Sequence, residues 1–157
     1  MYSRKKSDIM KIQKVTPDDL NEIYKLEEEV FGEDAFSMDL IMKLILSDNL
    51  FLKLVKGLFK REIIAFGIAT KDRKNQVNII NFLVKPKFQK KGYGSKLLQE
   101  LIQNIKELRK IKKIVLNVKS SNEIAIKLYE KYNFKIVEKI ENYYQSGDDS
   151  FLMEMNI

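Results

Sequence analysis

The 157-residue sequence contains no cysteine and no histidine. Without cysteine there is no disulfide, no thiolate metal ligand and no cysteine nucleophile. Without histidine, the other common ligand of transition metals is also missing. We therefore expect no metal site. Any catalytic base must be a carboxylate, a tyrosine, a lysine or a water molecule.

Long apolar runs are also missing. The longest, such as IIAFGIA at 63–69, fall far short of the roughly 20 residues that span a bilayer. The opening residues MYSRKKSDIM do not lead into the apolar core of a secretory signal. These features predict a soluble, cytoplasmic protein without a membrane partner.

The chain is long enough for one compact core, since 45% of its 157 residues are hydrophobic. We expect a single domain over residues 1–157. The 29 basic and 22 acidic residues give a formal charge of +7, which favours a polyanionic partner such as nucleic acid, anionic lipid or a phosphate-rich small molecule. Charge alone does not choose among these.

Hydrophobic periodicity and turn residues predict a mixed α/β order. Strands are expected at 10–15, 50–55, 62–70, 76–84, 114–118, 134–140 and 151–155. Helices are expected at 16–30, around 40–45, at 123–132, and where one face carries Leu97, Leu98, Leu101, Ile102, Ile105 and Leu108. The strand-helix-strand unit from 76 to 118 should pair its two strands in parallel, because such crossovers do so.

A basic, glycine-containing segment, PKFQKKGYGSK at 86–96, separates a strand from a long amphipathic helix. Gly92 and Gly94 allow successive main-chain N–H groups to point at one anion, next to the positive end of the helix dipole. The segment matches neither the triphosphate loop nor the dinucleotide fingerprint, whose third glycine would fall at Leu97. A phosphate site and a plain turn with solvated lysines are both compatible with these residues.

Three motifs carry a family resemblance. Gln89, Gly92 and Gly94 resemble the pyrophosphate loop Gln/Arg-x-x-Gly-x-Gly/Ala of the GNAT acetyltransferases. The second motif looks like that family's Asn-x-x-Ala-x-x-Leu-Tyr-x-x-x-Gly-Phe, here Asn122, Ala125, Leu128, Tyr129, Asn133 and Phe134. Asn133 replaces the usual glycine and tolerates a left-handed backbone better than most residues do.

The third motif narrows the resemblance. It is similar to the C-terminal segment of protein N-terminal acetyltransferases of the ribosomal-protein and α-amino types, and comprises Asn142, Tyr143, Tyr144, Gly147, Asp148, Asp149 and Met153. The resemblance runs from Met10 to the end of the chain. It implies a GNAT fold, with a mixed, mostly antiparallel sheet, a splayed pair of parallel strands and about four helices. It also implies direct transfer of an acetyl group from acetyl-CoA to a protein N-terminus. The basic charge is what an enzyme that binds coenzyme A and acts near ribosomes would carry, so ribosome association is a further expectation.

The resemblance also implies a cofactor site. In such enzymes the strand backbone near Leu83 and Val84 bonds the pantetheine arm. The pyrophosphate would be held by the loop residues Gln89, Lys90, Lys91, Gly92, Tyr93, Gly94 and Ser95. Asn122 matches a cofactor contact, and Tyr129 matches the tyrosine near the thioester sulfur, where it would act as general acid. The alternatives are a helix N-cap for Asn122 and a core position for Tyr129.

The substrate residues that the resemblance implies are Phe31 and Glu33, with Phe36 in the same segment, and the pair Tyr143 and Tyr144. Packing within a strand is the alternative for the tyrosine pair. Relatives often have Glu or His where this chain has Asn117, and a neutral amide cannot serve as a base. We therefore expect Glu33 to orient the amine, with ordered water and Asn117 or Asn81 forming the proton path. An exposed loop carboxylate is the alternative for Glu33.

Two other functions stay open. A GNAT enzyme for a small amine or a lysine side chain would share the cofactor loop but would not need Tyr143 and Tyr144. A non-enzymatic domain that binds RNA or the ribosome would explain the charge of +7 and would bind with a steep salt dependence. The lysines are scattered rather than massed in one motif, which weakens this second alternative.

Overall fold

Helices cover both faces of one mixed sheet in the computed structural model, which describes residues 9–157. Within that range the strands are β1 (Met10–Lys14), β2 (Leu50–Lys56), β3 (Glu62–Arg73), β4 (Gln76–Val84), β5 (Lys113–Lys119), β6 (Lys135–Ile140) and β7 (Ser150–Asn156). The α-helices are α1 (Leu20–Phe31), α2 (Met38–Leu46), α3 (Tyr93–Lys106) and α4 (Glu123–Lys131).

Local sequence signals set where the helices begin. A 3-10 turn at Pro17–Asp19 precedes α1, and the Asp19 carboxylate accepts a hydrogen bond from the Thr16 amide at 2.8 Å. Ser37 Oγ accepts from the Leu40 amide at 3.1 Å at the start of α2, and Asn122 Oδ1 accepts from the Ala125 amide at 3.2 Å at the start of α4. Each side chain satisfies an N–H group that its helix leaves without a partner.

Two hydrophobic cores lie on opposite faces of the sheet. On one face, α3 buries Leu97, Leu98, Leu101 and Ile105 against β2 to β5. On the other face, α1 and α2 bury Ile23, Leu26 and Ile41 against Phe51, Phe66, Ile68 and Leu83. The strand order is β1-β2-β3-β4-β5-β7-β6. The result is a helix–sheet–helix arrangement with β4 and β5 near its middle.

The only parallel pairing in the part of the sheet that the structure describes joins β4 to β5. It runs only from Gln76–Ile79 against Lys113–Leu116. Beyond that point both strands continue without pairing to each other, so they open like the arms of a V. This confirms the predicted splayed parallel pair within a mostly antiparallel sheet.

A β-bulge lies in β4 at the point where the strands separate. Ile79 pairs with Ala69 and Asn81 pairs with Ile68, which leaves Ile80 as an extra residue. An extra residue reverses the alternation of side chains between the two faces. Ile79 therefore packs in the α3 core, whereas Asn81 and Leu83 face α1.

Two predicted details are wrong. Leu108 does not lie on the buried face of α3, because the helix ends at Lys106 and the side chain of Leu108 is 40% exposed. Strand β3 extends to Arg73 rather than ending at residue 70, because it pairs with the start of β4 as far as Gln76. Nowhere in residues 9–157 is there a helix with both the length and the apolar character that a membrane crossing requires.

Candidate functional site

A cleft of about 220 Å³, here the α3 cleft, lies beside the glycine-containing loop. It is bounded by α1, the second half of β4, the start of α3 and α4. Its lining residues are Val30, Phe31, Phe82, Leu83, Val84, Gln89, Lys90, Gly92, Gly94, Ser95, Asn122, Ile124, Ala125 and Leu128. Most are apolar, and the polar ones gather at the loop.

The loop exposes main-chain N–H groups to this cleft. Gly92 has φ +86°, a left-handed conformation that glycine adopts without strain, and it stands immediately before α3. A Cβ on Gly94 would lie 3.2 Å from Val84 Cγ2 and 3.3 Å from Leu128 Cδ2, so the chain comes close to both walls here. The amides of Tyr93, Gly94 and Ser95 are in the first turn of α3, where a helix has no acceptors for its own N–H groups. This arrangement suits an anion.

A second, central cavity of about 100 Å³ lies in the V between β4 and β5. Its lining residues are Glu27, Phe31, Asp34, Phe36, Ile79, Ile80, Asn81, Phe82, Asn117, Val118, Lys119, Asn122, Ala125, Tyr129 and Tyr144. Four residues, Phe31, Phe82, Asn122 and Ala125, line both this cavity and the α3 cleft. The two spaces therefore join.

Tyr129 supplies one wall of the central cavity from α4. Its ring packs edge-on against Phe82 at 6.2 Å and Phe134 at 5.8 Å between centroids, and the side chain is buried. Burial raises the pKa of Tyr129 above its ordinary value, with a smaller contribution from Tyr144. The hydroxyl therefore keeps its proton throughout the neutral range and can donate it.

Glu27 on α1 supplies a second wall and is 1% exposed. Its Oε2 accepts a hydrogen bond from Asn81 Nδ2 at 2.7 Å, and its Oε1 accepts from the Phe36 amide at 2.9 Å. Burial raises the pKa of Glu27, and these two hydrogen bonds oppose the increase. The bond to the carboxylate uses one Nδ2 hydrogen of Asn81 and fixes its amide, which leaves Oδ1 as an acceptor and the second Nδ2 hydrogen as a donor.

A third wall comes from β5 and β7. Asn117 Oδ1 accepts a hydrogen bond from Ser150 Oγ at 2.9 Å, and Ser150 is fully buried. Burial raises the pKa of Tyr144 to about 12, and the nearby Ser150 hydroxyl opposes part of this increase. With Oδ1 engaged, Asn117 has its Nδ2 left as a donor. The cavity thus has an acceptor from Asn81 on one arm of the V and a donor from Asn117 on the other.

An ionic bridge links the segment before α2 to the segment after β6. Lys119 Nζ lies 2.6 Å from Asp34 Oδ2 and 3.2 Å from Asp148 Oδ2, and Asp34 Oδ1 accepts from the Ser146 amide at 2.9 Å. We call this set the Asp34 bridge. Burial opposes ionisation of Asp34, but the hydrogen bonds from Lys119 and Ser146 outweigh it and lower the pKa of Asp34 to about 2.

A third space, the outer cleft, opens on the side away from α3 and has a volume of about 600 Å³. Its lining residues are Asp34, Phe36, Leu40, Asn78, Ile79, Ile80, Asn117, Tyr143, Tyr144 and Gln145. Six of these also line the central cavity. The rings of Tyr143 and Tyr144 stand edge to face, 5.0 Å apart between centroids. Two clefts thus meet at one cavity from opposite sides.

A model of the acetyltransferase (GNAT) family matches residues 18–134. The chain belongs to the GNAT acetyltransferase family. This GNAT chain is similar to the N-alpha-acetyltransferase of Sulfolobus acidocaldarius, with 36% identity over 76 residues that cover 48% of this chain and 45% of the relative. It is also similar to the spermine/spermidine N(1)-acetyltransferase of Bacillus subtilis, with 40% identity over 65 residues that cover 41% and 43%. The chain spans about half the length of the curated relatives it matches.

The fold is also similar to a solved GNAT structure over nearly its full length. The crystal structure of the ribosomal-protein-S18-alanine N-acetyltransferase from Escherichia coli has a TM-score of 0.81 and 26% identity, and the match covers 95% of this chain and 94% of that one. The predicted GNAT fold is confirmed.

The structure brings most of the predicted site residues of this GNAT chain together. Leu83, Val84, Gln89, Lys90, Gly92, Gly94, Ser95 and Asn122 line the α3 cleft, Phe31, Asn81, Asn117, Asn122, Tyr129 and Tyr144 line the central cavity, and Tyr143 and Tyr144 line the outer cleft. Asn122 is also the N-cap of α4. In the described part of the chain, Glu33, Lys91 and Tyr93 line none of the three spaces. Glu33 is exposed, whereas Lys91 and Tyr93 contact the Phe88 ring.

Sequence reasoning missed Glu27, Asp34, Lys119 and Ser150. A signal for Glu27 was present, because it lies four residues after Ile23 and one after Leu26, both on the buried face of α1. A charged residue in such a position needs a polar partner inside the fold. The other three become visible only when β5, β7 and the loops are brought together.

Proposed function

We propose that this chain transfers the acetyl group of acetyl-CoA directly to the N-terminal α-amino group of proteins. One observation carries the proposal: the α3 cleft and the outer cleft enter the central cavity from opposite sides, and Tyr129 stands where they meet. An acetyl donor and an acetyl acceptor that enter by separate routes can react directly, without prior transfer of the acetyl group to a side chain of the enzyme. A single domain over residues 1–157 in the cytoplasm is part of the same proposal.

The residues of the α3 cleft fit coenzyme A. Gly92 leaves open space for phosphate oxygens beside the amides of Tyr93, Gly94 and Ser95, and Lys90 adds positive charge in the same cleft. Beyond Ile79 the backbone of β4 lacks a partner on the β5 side, so Leu83 and Val84 can bond an extended amide-containing arm. When bound, acetyl-CoA supplies an activated acyl group on sulfur.

The outer cleft fits an extended peptide better than a compact amine. Tyr143 and Tyr144 form one side of it, and Phe36 and Leu40 form another. We assign the first side chain of the substrate to the space near Phe31 and Phe36. Glu33, which is exposed next to Asp34 in sequence, is assigned to orient the incoming amine at the rim.

In the reaction, the residues of the cavity orient the nucleophile and supply a proton. Asn81 Oδ1 and Asn117 Nδ2, which are not used in the bonds to Glu27 and Ser150, would hold the amine or a water beside it. Tyr129 protonates the departing sulfur. An α-amine, with a pKa of about 7.7–8.0 against about 10.4 for lysine, is far more often neutral at pH 7 and so is the better nucleophile here.

The proposal is tested by incubating the purified chain with acetyl-CoA and three matched acceptors. The first is a peptide with a free N-terminus and an internal lysine, the second is the same peptide with a blocked N-terminus, and the third is spermidine. Mass spectrometry locates the acetyl group. We expect acetylation of the first acceptor at its N-terminus and little of the other two. Equal modification of the blocked peptide, or no coenzyme A binding by calorimetry, would overturn the proposal.

Acetylation of a small polyamine is the second candidate function. The similarity to the Bacillus subtilis spermine/spermidine N(1)-acetyltransferase favours it, and spermidine in the same assay decides it. The outer cleft weighs against it, because the one carboxylate among its lining residues, Asp34, is already paired with Lys119 and is not free to bind a polycation.

The charge of +7 supports ribosome association as an accompanying proposal. The substrate of the Escherichia coli neighbour is, by its name, a ribosomal protein. Sedimentation of the chain with ribosomes at low salt, and its release as salt rises, would support association, whereas salt-independent behaviour would contradict it.

A further inference from the structure

The central cavity contains two carboxylates, and they differ in their ability to take a proton. Asp34 is paired with Lys119, and its pKa is lowered to about 2, so at neutral pH it is a very weak base. Glu27 belongs to none of the ion pairs among residues 9–157. Both of its oxygens accept hydrogen bonds from neutral groups, one from Asn81 and one from the Phe36 amide.

We propose that Glu27, through one water molecule held between Asn81 and Asn117, takes the proton that the substrate amine loses during acetyl transfer. This inference rests on the proposed function and deepens it by naming the proton acceptor. Glu27 is buried at the V of the sheet, in the cavity that also holds Tyr129, and its carboxylate is fixed from two sides. A cavity of about 100 Å³ has room for the substrate amine and a water, since a water occupies about 30 Å³.

None of the other charged and titratable groups that face Glu27 is suited to accept the proton. Asp34 and Lys119 neutralise each other across the cavity, with Asp148 as a further partner of the lysine. Tyr129 from α4 and Tyr144 from the segment before β7 keep their protons, because burial raises the pKa of both. Asn81 and Asn117 are neutral amides and only hold the water. Burial raises the pKa of Glu27 itself, which makes it a stronger base than an exposed glutamate.

Bonds and protons balance in this scheme. The amine nitrogen attacks the acetyl carbon, and as the N–C bond forms the nitrogen loses one proton to the water, which passes one to Glu27. The C–S bond then breaks, and the sulfur takes a proton from Tyr129. Glu27 releases its proton to solvent and Tyr129 regains one. The net result moves one proton from nitrogen to sulfur.

The test compares kcat for a peptide substrate, at saturating acetyl-CoA and peptide, between about pH 5 and 9. For the unmodified chain we expect kcat to fall on the acid side as Glu27 gains a proton. For Glu27→Gln we expect kcat to be lower by roughly 100-fold, the usual contribution of a proton acceptor, and the acid limb to disappear. Coenzyme A affinity by calorimetry should be unchanged. Glu29→Gln, on the exposed side of the same helix, is the matched control and should leave kcat unchanged.

A second readout does not depend on activity. A raised pKa means that folded Glu27 holds its proton at a pH where the unfolded chain has lost it, so stability falls as pH rises from about 4.5 through the folded pKa. The Glu27→Gln variant has no carboxyl group at this position, so this fall in stability with rising pH should be absent from it. The free energy of unfolding of the variant, relative to the unmodified chain, should therefore increase with pH across that window, and no such trend should appear for Glu29→Gln.

A swapped pair covers the case in which Glu27→Gln does not fold. The double variant Glu27→Gln with Asn81→Asp exchanges the two groups of one hydrogen bond. The carboxylate is then at position 81 and the amide at position 27. We expect this double variant to fold and to show measurable kcat with an acid limb.

The proposal is overturned if Glu27→Gln keeps kcat within about threefold with its acid limb intact, if the limb disappears in Glu33→Gln instead, or if the folded swapped pair shows no turnover. Failure of the unmodified chain to acetylate any peptide is a different result, which would remove the proposed function.

Discussion

Lys119 Nζ lies 2.6 Å from Asp34 Oδ2, and this contact joins residues 85 positions apart in the chain. Asp34 stands between α1 and α2, and Lys119 ends β5. The same ammonium lies 5.4 Å from the centre of the Tyr144 ring and 3.2 Å from Asp148. The Asp34 bridge therefore holds two walls of the outer cleft at a fixed separation.

Lys119→Met should weaken peptide binding more than it slows chemistry. Without the ammonium, the segment that carries Tyr144 loses its attachment to Asp34. We expect the KM for a peptide to rise by roughly tenfold, with kcat within about twofold of the unmodified value. Loss of one partner of a buried charge pair costs a few kcal/mol, and part of this cost would appear as weaker peptide binding, because the peptide must then order the cleft as it binds. Steady-state kinetics with varied peptide measure this.

Lys113→Met is the matched control for that variant. Lys113 begins the same strand and pairs with Glu154 at 3.3 Å, but it lies at the opposite end, away from the outer cleft. Its KM should match that of the unmodified chain. An equal rise of KM in both variants would show that the effect is general loss of stability.

Asp34→Asn should destabilise the protein in a pH-dependent way. The folded pKa of about 2 lies below the ordinary value of 3.8, so the carboxylate contributes stability above about pH 4 and loses that contribution as pH falls towards 2. We expect Asp34→Asn to lower the free energy of unfolding by about 2 kcal/mol at pH 7. The difference should shrink between pH 4 and 3 in denaturant titrations. A difference that is constant with pH would rule out the ion pair as its source.

Tyr129→Phe should lower kcat and leave the fold intact. The ring packs against Phe82 and Phe134, and phenylalanine keeps these contacts. Loss of the proton donor should reduce kcat by roughly 10- to 100-fold. Because burial raises the pKa of Tyr129, the unmodified chain should also show no loss of kcat through tyrosine ionisation up to about pH 10.

Tyr132→Phe serves as the control on the same helix region. Its hydroxyl donates to the Ser95 carbonyl at 3.1 Å and does not reach the central cavity. Its kcat should stay within about threefold of the unmodified value. A similar loss of kcat in both variants would contradict the role of the Tyr129 hydroxyl as acid.

Gly92→Ala should weaken coenzyme A binding. At φ +86° a side chain costs about 1 kcal/mol or more, and relief of this strain would turn the amides that follow away from the phosphate site. Calorimetry should show a dissociation constant raised by roughly tenfold. Gly147→Ala has a similar φ of +91° but lies in the turn before β7. It should lose comparable stability and bind coenzyme A normally, and a weaker affinity there would contradict the explanation.

Much of the fold can be predicted from the spacing of apolar residues and the order of the helices and strands. The apolar spacing of Leu97, Leu98, Leu101 and Ile105 defines α3, and the parallel pairing of β4 and β5 follows from the helix between them. The same spacing wrongly predicts a buried Leu108, because α3 ends at Lys106 and the Leu108 amide donates to the Ile105 carbonyl in a tighter turn. The backbone reverses at Lys110, where φ is +68°, and periodicity does not show where that reversal begins.

The candidate site was only partly predictable. The loop residues and Tyr129 belong to local motifs, which sequence displays directly. Glu27 sits in a run of three glutamates, and only the crossing of α1 over β4 distinguishes it from Glu28 and Glu29, which are exposed. Partners 54 residues apart, such as Glu27 and Asn81, are set by tertiary packing. Glu33 and Asp34 are neighbours in sequence, yet the backbone turns only Asp34 inwards.

The bulge at Ile80 makes the length of β4 as consequential as its composition. Exchange of Ile80 for another apolar residue would alter one side chain, whereas removal of that position would leave Asn81 paired with Ile68 and facing α1 but would remove the bend that accompanies the bulge, just where β4 stops pairing with β5. The two strands would then lie closer together beyond Ile79, and the space between them would narrow. A deletion there would thus disable the cavity even though every residue of its chemistry is still encoded.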